Sequence, residues 1–351
     1  MLIKNDINRI FIMLGQQCNL SCDYCLQHDM IQDKIKINDI NKDIFNFFKK
    51  NTTDRKIDVI FYGGEPLLYY DAIKYIATSI RLFVDHMGII SNGKNLTQDM
   101  VKFFNEMDIY FAVSWDGKNS KITRHYDAIE DKKDLLFQIN HLGVNSVSSS
   151  MCYPNDFYKE AIKLSKEYGA ANKNQNNKGL IISNELFMNT GTCKEYLSKI
   201  DYKKLNEQMK EICDKAYEDL KNKKTSFYSN KFINTVDTYS KFVDGPMCGN
   251  PTTTLNMDLH GNLYECHNTW KKIGTIYDTI EQYEEEIINN AVEEYNAHCS
   301  DCEVKELCQG GCYLIPWEKK QDSGYCEYRK AYYKPMIDML NKMLKDNFLR
   351  W

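Results

Sequence analysis

Cys18-Asn19-Leu20-Ser21-Cys22-Asp23-Tyr24-Cys25 gathers three of the chain's 13 cysteines into one short run. The apolar stretch Arg9–Leu14 directly before it reads as a β-strand, so the cysteines sit on the loop at that strand's carboxyl end. In parallel α/β folds that end carries the active site. A [4Fe–4S] cube takes four ligands, usually thiolates. This loop supplies three, and the next cysteine is Cys152, which leaves one iron open to a small molecule. A zinc loop is the alternative, but a structural zinc site takes four protein ligands and this one would be incomplete.

The remaining composition narrows the class. With 351 residues, 43% of them hydrophobic, the chain suffices for one large domain or a domain plus a smaller one. A formal charge of -4 and an isoelectric point of about 6.0 make nucleic acid a poor default partner. No apolar run approaches the ~18 residues of a membrane span, and the polar start Met1–Arg9 lacks the apolar core of a signal peptide. The reading is a cytoplasmic protein whose thiols stay reduced and free to bind metal.

Outward from the first strand, strand-like and helix-like periodicities alternate. Strands are expected at Ile57–Phe61, Met87–Ile90, Ile109–Ser114, Val144–Met151 and Gly179–Phe187. Helices are expected at Asp39–Lys50, Asp71–Ser79, Thr97–Glu106, Lys133–His141 and Phe157–Tyr168. Six strands alternating with helices predict a parallel α/β sheet, open or closed into a barrel. Leu205–Lys221 reads as a long amphipathic helix with a solvated charged face. After Gly245-Pro246 turns become frequent and cysteines dense, and Ala331–Phe348 closes the chain as a helix whose Met336, Met339 and Met343 read as core.

Three cysteines spaced CxxxCxxC after the first strand, with the aromatic Tyr24 before the last, resemble the signature of the radical S-adenosylmethionine (SAM) superfamily. The resemblance implies a partial (β/α)6 barrel over residues 1–200 and a cluster held by Cys18, Cys22 and Cys25. Its open iron would chelate the methionine moiety of SAM; one electron would break the C5′–S bond, and the 5′-deoxyadenosyl radical would take a hydrogen from substrate. Gly63-Gly64-Glu65-Pro66 after the second strand resembles the family's GGEP motif, which meets the methionine ammonium. By the same resemblance Ser91 and Asn92 after the third strand, and Ser114 and Asp116 after the fourth, face the cofactor.

The later cysteines run Cys248-x12-Gly261-x4-Cys266, then Cys299-x2-Cys302-x5-Cys308-x3-Cys312, then Cys326. This resembles the seven-cysteine SPASM extension, which implies a helical linker over 201–244, an auxiliary-cluster domain over 245–330 and a closing helix over 331–351. It also implies two auxiliary [4Fe–4S] clusters, three in all. Cys299, Cys302, Cys308 and Cys326 would ligate one; Cys248, Cys266 and Cys312 would hold the other. Sulfatase-maturing relatives complete the latter with a cysteine where this chain has Phe242. An open iron there would suit a substrate thiolate, and hence thioether formation. Those relatives also carry an aspartate base after the cysteine matching Cys266, where this chain has His267, a candidate proton acceptor.

The expected function is therefore modification of a ribosomally made peptide or protein, with a reductant such as flavodoxin or ferredoxin. The first strand begins so early that a leader-gripping domain does not fit ahead of it, so the leader is expected to need a separate leader-binding protein or a groove on this chain. The runner-up is an anaerobic sulfatase maturase, disfavoured by His267 and Phe242. A small-molecule dehydrogenase and an RNA-modifying enzyme rank lower. An iron–sulfur electron carrier or a zinc scaffold is the non-enzymatic alternative, and neither needs the methionine site at Glu65.

Overall fold

The computed structural model describes residues 7–27, 39–52, 57–172, 179–188, 193–240, 253–278 and 281–346. Cys248, Phe242 and the Gly245-Pro246 turn lie outside the described residues.

The strands are β1 (Arg9–Met13), β2 (Asp58–Tyr62), β3 (Met87–Ser91), β4 (Ile109–Ser114), β5 (Leu142–Val147), β6 (Ile181–Glu185), β7 (Thr254–Asp258), β8 (Asn262–Tyr264) and β9 (Lys272–Thr275). They form one sheet in the order β6-β5-β4-β3-β2-β1-β7-β8-β9. Strands β1 to β6 are all parallel and alternate with helices, which gives the partial (β/α)6 barrel. In β1, Ile10, Phe11, Ile12 and Met13 are all buried, as expected of a parallel strand covered on both faces. Each catalytic candidate of the first half therefore leaves its strand at the same end.

Two compact units emerge. The first joins 1–147, 160–185 and 249–284; the second joins 148–159, 186–248 and 285–351. The sequence places 245–330 in one module, but its first part behaves differently. Strand β7 pairs parallel with β1, Arg9 opposite Thr254 and Met13 opposite Asp258, and β8 and β9 add antiparallel strands beyond it. The residues around Cys266 thus belong to the barrel's sheet. No periodicity signals this, because pairing partners of a parallel strand are not local in sequence.

Other elements depart from expectation by a few residues. The helix expected at Lys133–His141 runs Ala128–Leu136, because Asp127 caps it by accepting from the N–H groups of Ile129 and Glu130. Strand β5 ends at Val147, so Ser148–Ser150 lie beyond it. The closing helix starts at Tyr325, not Ala331, and so includes Cys326; Gly324, at φ 69°, supplies the left-handed residue before it. Its Met336, Met339 and Met343 are buried, and it packs against the helix Tyr202–Lys221, where Asn206 donates to the carbonyl of Ala331. Among the described residues no helix is long and apolar enough to cross a membrane.

Candidate active site

The cysteine loop is fixed first by backbone. Leu14 N–H donates to the Tyr62 carbonyl, Gly64 N–H to Gly15, and Glu65 N–H to Gln17, each at 2.9 Å. The β1–β2 ladder thus continues past both strand ends and clamps the segment leading into Cys18. Gly64 is required by this closeness: a Cβ there would stand 2.4 Å from the Gln16 carbonyl oxygen and 2.5 Å from that of Gln17. Both atoms are backbone and cannot swing away. Gly64→Ala is therefore expected to destabilise the protein by about 1–3 kcal/mol, read as a lower urea midpoint of the metal-free chain. A midpoint equal to wild type would show that the clamp yields.

Glu65 gathers the next residues. Its buried carboxylate accepts from Leu67 N–H at 2.9 Å, Ser91 Oγ at 2.7 Å and Asn92 N–H at 2.8 Å. Burial raises its pKa, and these three hydrogen bonds oppose the rise. Pro66 opens the short turn Pro66–Tyr69 that Glu65 caps. Asn92 Nδ2 donates to Asn19 Oδ1 at 2.8 Å and lies 3.9 Å from Cys18 Sγ. The sequence candidates Gly63, Gly64, Glu65, Ser91 and Asn92 are thus assembled against the cysteine loop.

A second network holds the loop's far end. Tyr24 Oη donates to Asp116 Oδ2 at 2.5 Å, and Thr123 Oγ1 donates to the same oxygen at 2.7 Å. Arg124 grips both carboxylate oxygens, Nε to Oδ2 at 3.1 Å and Nη2 to Oδ1 at 3.3 Å. The Val147 N–H adds a bond to Oδ1 at 3.2 Å, and the Arg124 guanidinium lies over the Tyr24 ring. Tyr24 and Asp116, both read from sequence as cofactor contacts, here bind each other and tie the loop to β4. Arg124 and Thr123 were not legible as site residues, since nothing in their spacing marks them. Ser114, at the end of β4, is half-buried and registers against Asn145.

The three thiols sense one another. Burial pushes Cys22 up to about 12; Arg124 opposes this, while Cys25 and Cys18 add to it. Burial likewise raises Cys18 and Cys25. Three thiols on one loop are the soft donors iron favours, and this donor set fits a four-iron cluster with one open iron.

His267 follows Cys266 just past β8. Its ring stacks on Phe11 at 4.2 Å and meets Tyr62 edge-on at 4.9 Å. Burial lowers its pKa to about 4, so the imidazole is neutral at physiological pH, and Nδ1 is buried with no hydrogen-bond partner. Gln27 Nε2 donates to its carbonyl at 3.0 Å, and Tyr62 Oη donates to Asn268 Oδ1 at 3.1 Å. Tyr62 was overlooked in the sequence, although it stands immediately before Gly63-Gly64.

The second unit carries its own cysteine group. Cys299 is pushed up to about 11, first by burial and then by Cys308, Cys302 and Cys326. Cys308 in turn senses Cys302 and Cys326. These are the four cysteines the sequence assigns to one auxiliary cluster. Between Cys308 and Cys312 three successive residues have positive φ, Gln309 at 46°, Gly310 at 74° and Gly311 at 73°. The reversal brings the Gly311 N–H to the Cys308 carbonyl and the Cys312 N–H to Tyr325 Oη. Of the cysteines assigned to the other auxiliary cluster, Cys266 belongs to the first unit and Cys312 to the second, and Cys248 is outside the described residues.

Comparison with known proteins agrees with this geometry. Residues 12–171 match the Radical SAM superfamily. Over 95% of its length the chain is 20% identical to the radical SAM cyclopropyl synthase TigE of Paramaledivibacter caminithermalis, covering 74% of that protein. Its fold superposes on anSMEcpe with bound AdoMet and Cp18Cys peptide at a TM-score of 0.66, with 18% identity, covering 97% of this chain and 98% of the other. Streptococcus suis SuiB bound to its precursor peptide SuiA gives a TM-score of 0.61 at 14% identity, with 88% and 72% covered. Residues 12–171 are a radical SAM domain, and the fold of the chain is similar to those of anSMEcpe and SuiB.

Proposed function

We propose that the chain cleaves SAM reductively at the cluster held by Cys18, Cys22 and Cys25, and directs the resulting radical onto a ribosomally made peptide. The observation that carries this reading is the convergence of Glu65, Ser91 and Asn92 on the cysteine loop. The cluster, when bound, supplies the electron that breaks the C5′–S bond. The chain supplies the rest. Glu65, held by donors from two strand ends, offers a fixed carboxylate toward the methionine ammonium. Ser91 and Asn92 set the position of that carboxylate, and Asp116 with Arg124 keeps the cysteine loop from shifting.

A peptide substrate is supported by two similar folds, which hold the Cp18Cys and SuiA peptides. In this reading Cys299, Cys302, Cys308 and Cys326 hold an auxiliary cluster, and Cys248, Cys266 and Cys312 serve another. With an open iron at the latter, a substrate cysteine would be joined by a thioether. His267, neutral and with Nδ1 unengaged, would serve as the proton acceptor. A flavodoxin or ferredoxin would deliver the electron in the cytoplasm, and a leader-binding protein would present the peptide.

Anaerobically reconstituted protein tests this. About twelve irons per chain are expected from three four-iron clusters, together with dithionite-driven 5′-deoxyadenosine. Cys308→Ala is expected to retain about eight irons and to keep making deoxyadenosine while losing peptide product. Zinc in place of iron, or no deoxyadenosine from the wild type, would refute the reading.

A further inference from the structure

Arg124, Lys320 and Arg329 are the buried cations among the described residues, and each lies beside a cysteine group. Burying a charge is costly unless something nearby balances it. Arg124 is matched by Asp116, as described above. The other two belong to the second unit.

Arg329 is 1% exposed and Lys320 is 2% exposed. Arg329 stands three residues after Cys326 on the helix Tyr325–Lys345, and residues at that spacing are neighbours on a helix surface. Its Nη2 donates to Tyr325 Oη at 2.8 Å and its Nη1 to Tyr333 Oη at 3.2 Å, and both rings also lie under the guanidinium. Tyr325 Oη accepts the Cys312 N–H as well, so one phenol joins the cation to the turn that follows Cys308. Lys320 lines one cavity with Cys299, Gln309, Gly310 and Gly311, and its ammonium pairs with Glu294 at 3.0 Å.

We propose that Arg329, seconded by Lys320, is a positioning charge for the auxiliary cluster held by Cys299, Cys302, Cys308 and Cys326, offsetting that cluster's negative charge and making it easier to reduce. This rests on the reading that the four cysteines bind an iron–sulfur cluster. A thiolate-ligated four-iron cube carries a net charge of about 2− oxidised and 3− reduced, and nearby charge is one of the levers that set its potential. A buried cation favours the more negative state. Bound there, such a cluster would supply a one-electron acceptor.

The test is an electron-paramagnetic-resonance redox titration of the reconstituted full chain. It uses a Cys18→Ala, Cys22→Ala, Cys25→Ala background, so that only auxiliary clusters report. Arg329→Gln is expected to lower one midpoint potential by at least a tenfold change in the one-electron equilibrium constant, 59 mV. Arg329→Lys, which keeps the charge, should stay near the parent. Lys320→Gln should shift the same midpoint in the same direction, and it decides the matter if Arg329→Gln fails to assemble. Full iron content with unshifted midpoints in the assembled variants overturns the proposal and leaves the cluster reading intact. A parent that binds zinc, or no metal at all, overturns both.

Discussion

Cys22→Ala is expected to reduce SAM cleavage to background. The loop has three thiols and no other cysteine precedes Cys152, so the variant keeps two, too few to hold a four-iron cube. Without the cluster nothing passes an electron to the sulfonium, and the loss of 5′-deoxyadenosine should be on the order of a thousandfold or more. Iron content should fall by about four per chain. Cys22 is half-buried and makes none of the Asp116 hydrogen bonds, so the melting temperature of the metal-free protein should barely change. Equal deoxyadenosine yields from variant and wild type would refute the site assignment.

Asp116→Ala should act through stability. The carboxylate is fully buried and accepts from Tyr24, Thr123, Arg124 and the Val147 N–H. Removing it strands a guanidinium whose side chain is 9% exposed. Deleting one partner of a buried ion pair costs about 3–5 kcal/mol. Urea unfolding of the metal-free chain should show that loss, and iron uptake should drop because Tyr24 no longer anchors the cysteine loop. Asp116→Asn, which keeps acceptor capacity at one oxygen, should lose less. A cost below about 1 kcal/mol, the range of exposed pairs, would mean that water reaches Arg124 and that the network is not a structural anchor.

How much was legible in the sequence follows from which interactions are local. The strands of the barrel declare themselves because a doubly covered parallel strand is apolar along its buried run, as Ile10–Met13 and Phe111–Val113 are. The cysteine loop and the GGEP turn are contiguous, so their chemistry can be read before any fold is known. The methionines of the closing helix fall on one face and pack as expected. What escaped is non-local. Arg124 gains its meaning only from Asp116 and Tyr24, which reach it from separate loops. Arg329 looks like any helix cation until the fold removes its solvent. The placement of β7 beside β1 has no signature in either strand. The helix Glu281–His298 was also missed, its Glu-rich sequence carrying only a weak apolar stripe.

The pairing of β1 with β7 also bears on the order of assembly. The ribosome delivers the cysteine loop long before Thr254–Asp258, yet β1 lies between β2 and β7. Chains fold from the amino end as they emerge, and contacts between distant residues form slowly. Until β7 is made, then, the strand that leads into Cys18, Cys22 and Cys25 has one flank without its hydrogen-bonding neighbour. Stable seating of that loop has to wait until β7 is made. Iron loading at the first cysteines is therefore expected to follow the synthesis of β7, and a nascent chain stalled before Thr254 should be unable to retain a cluster there.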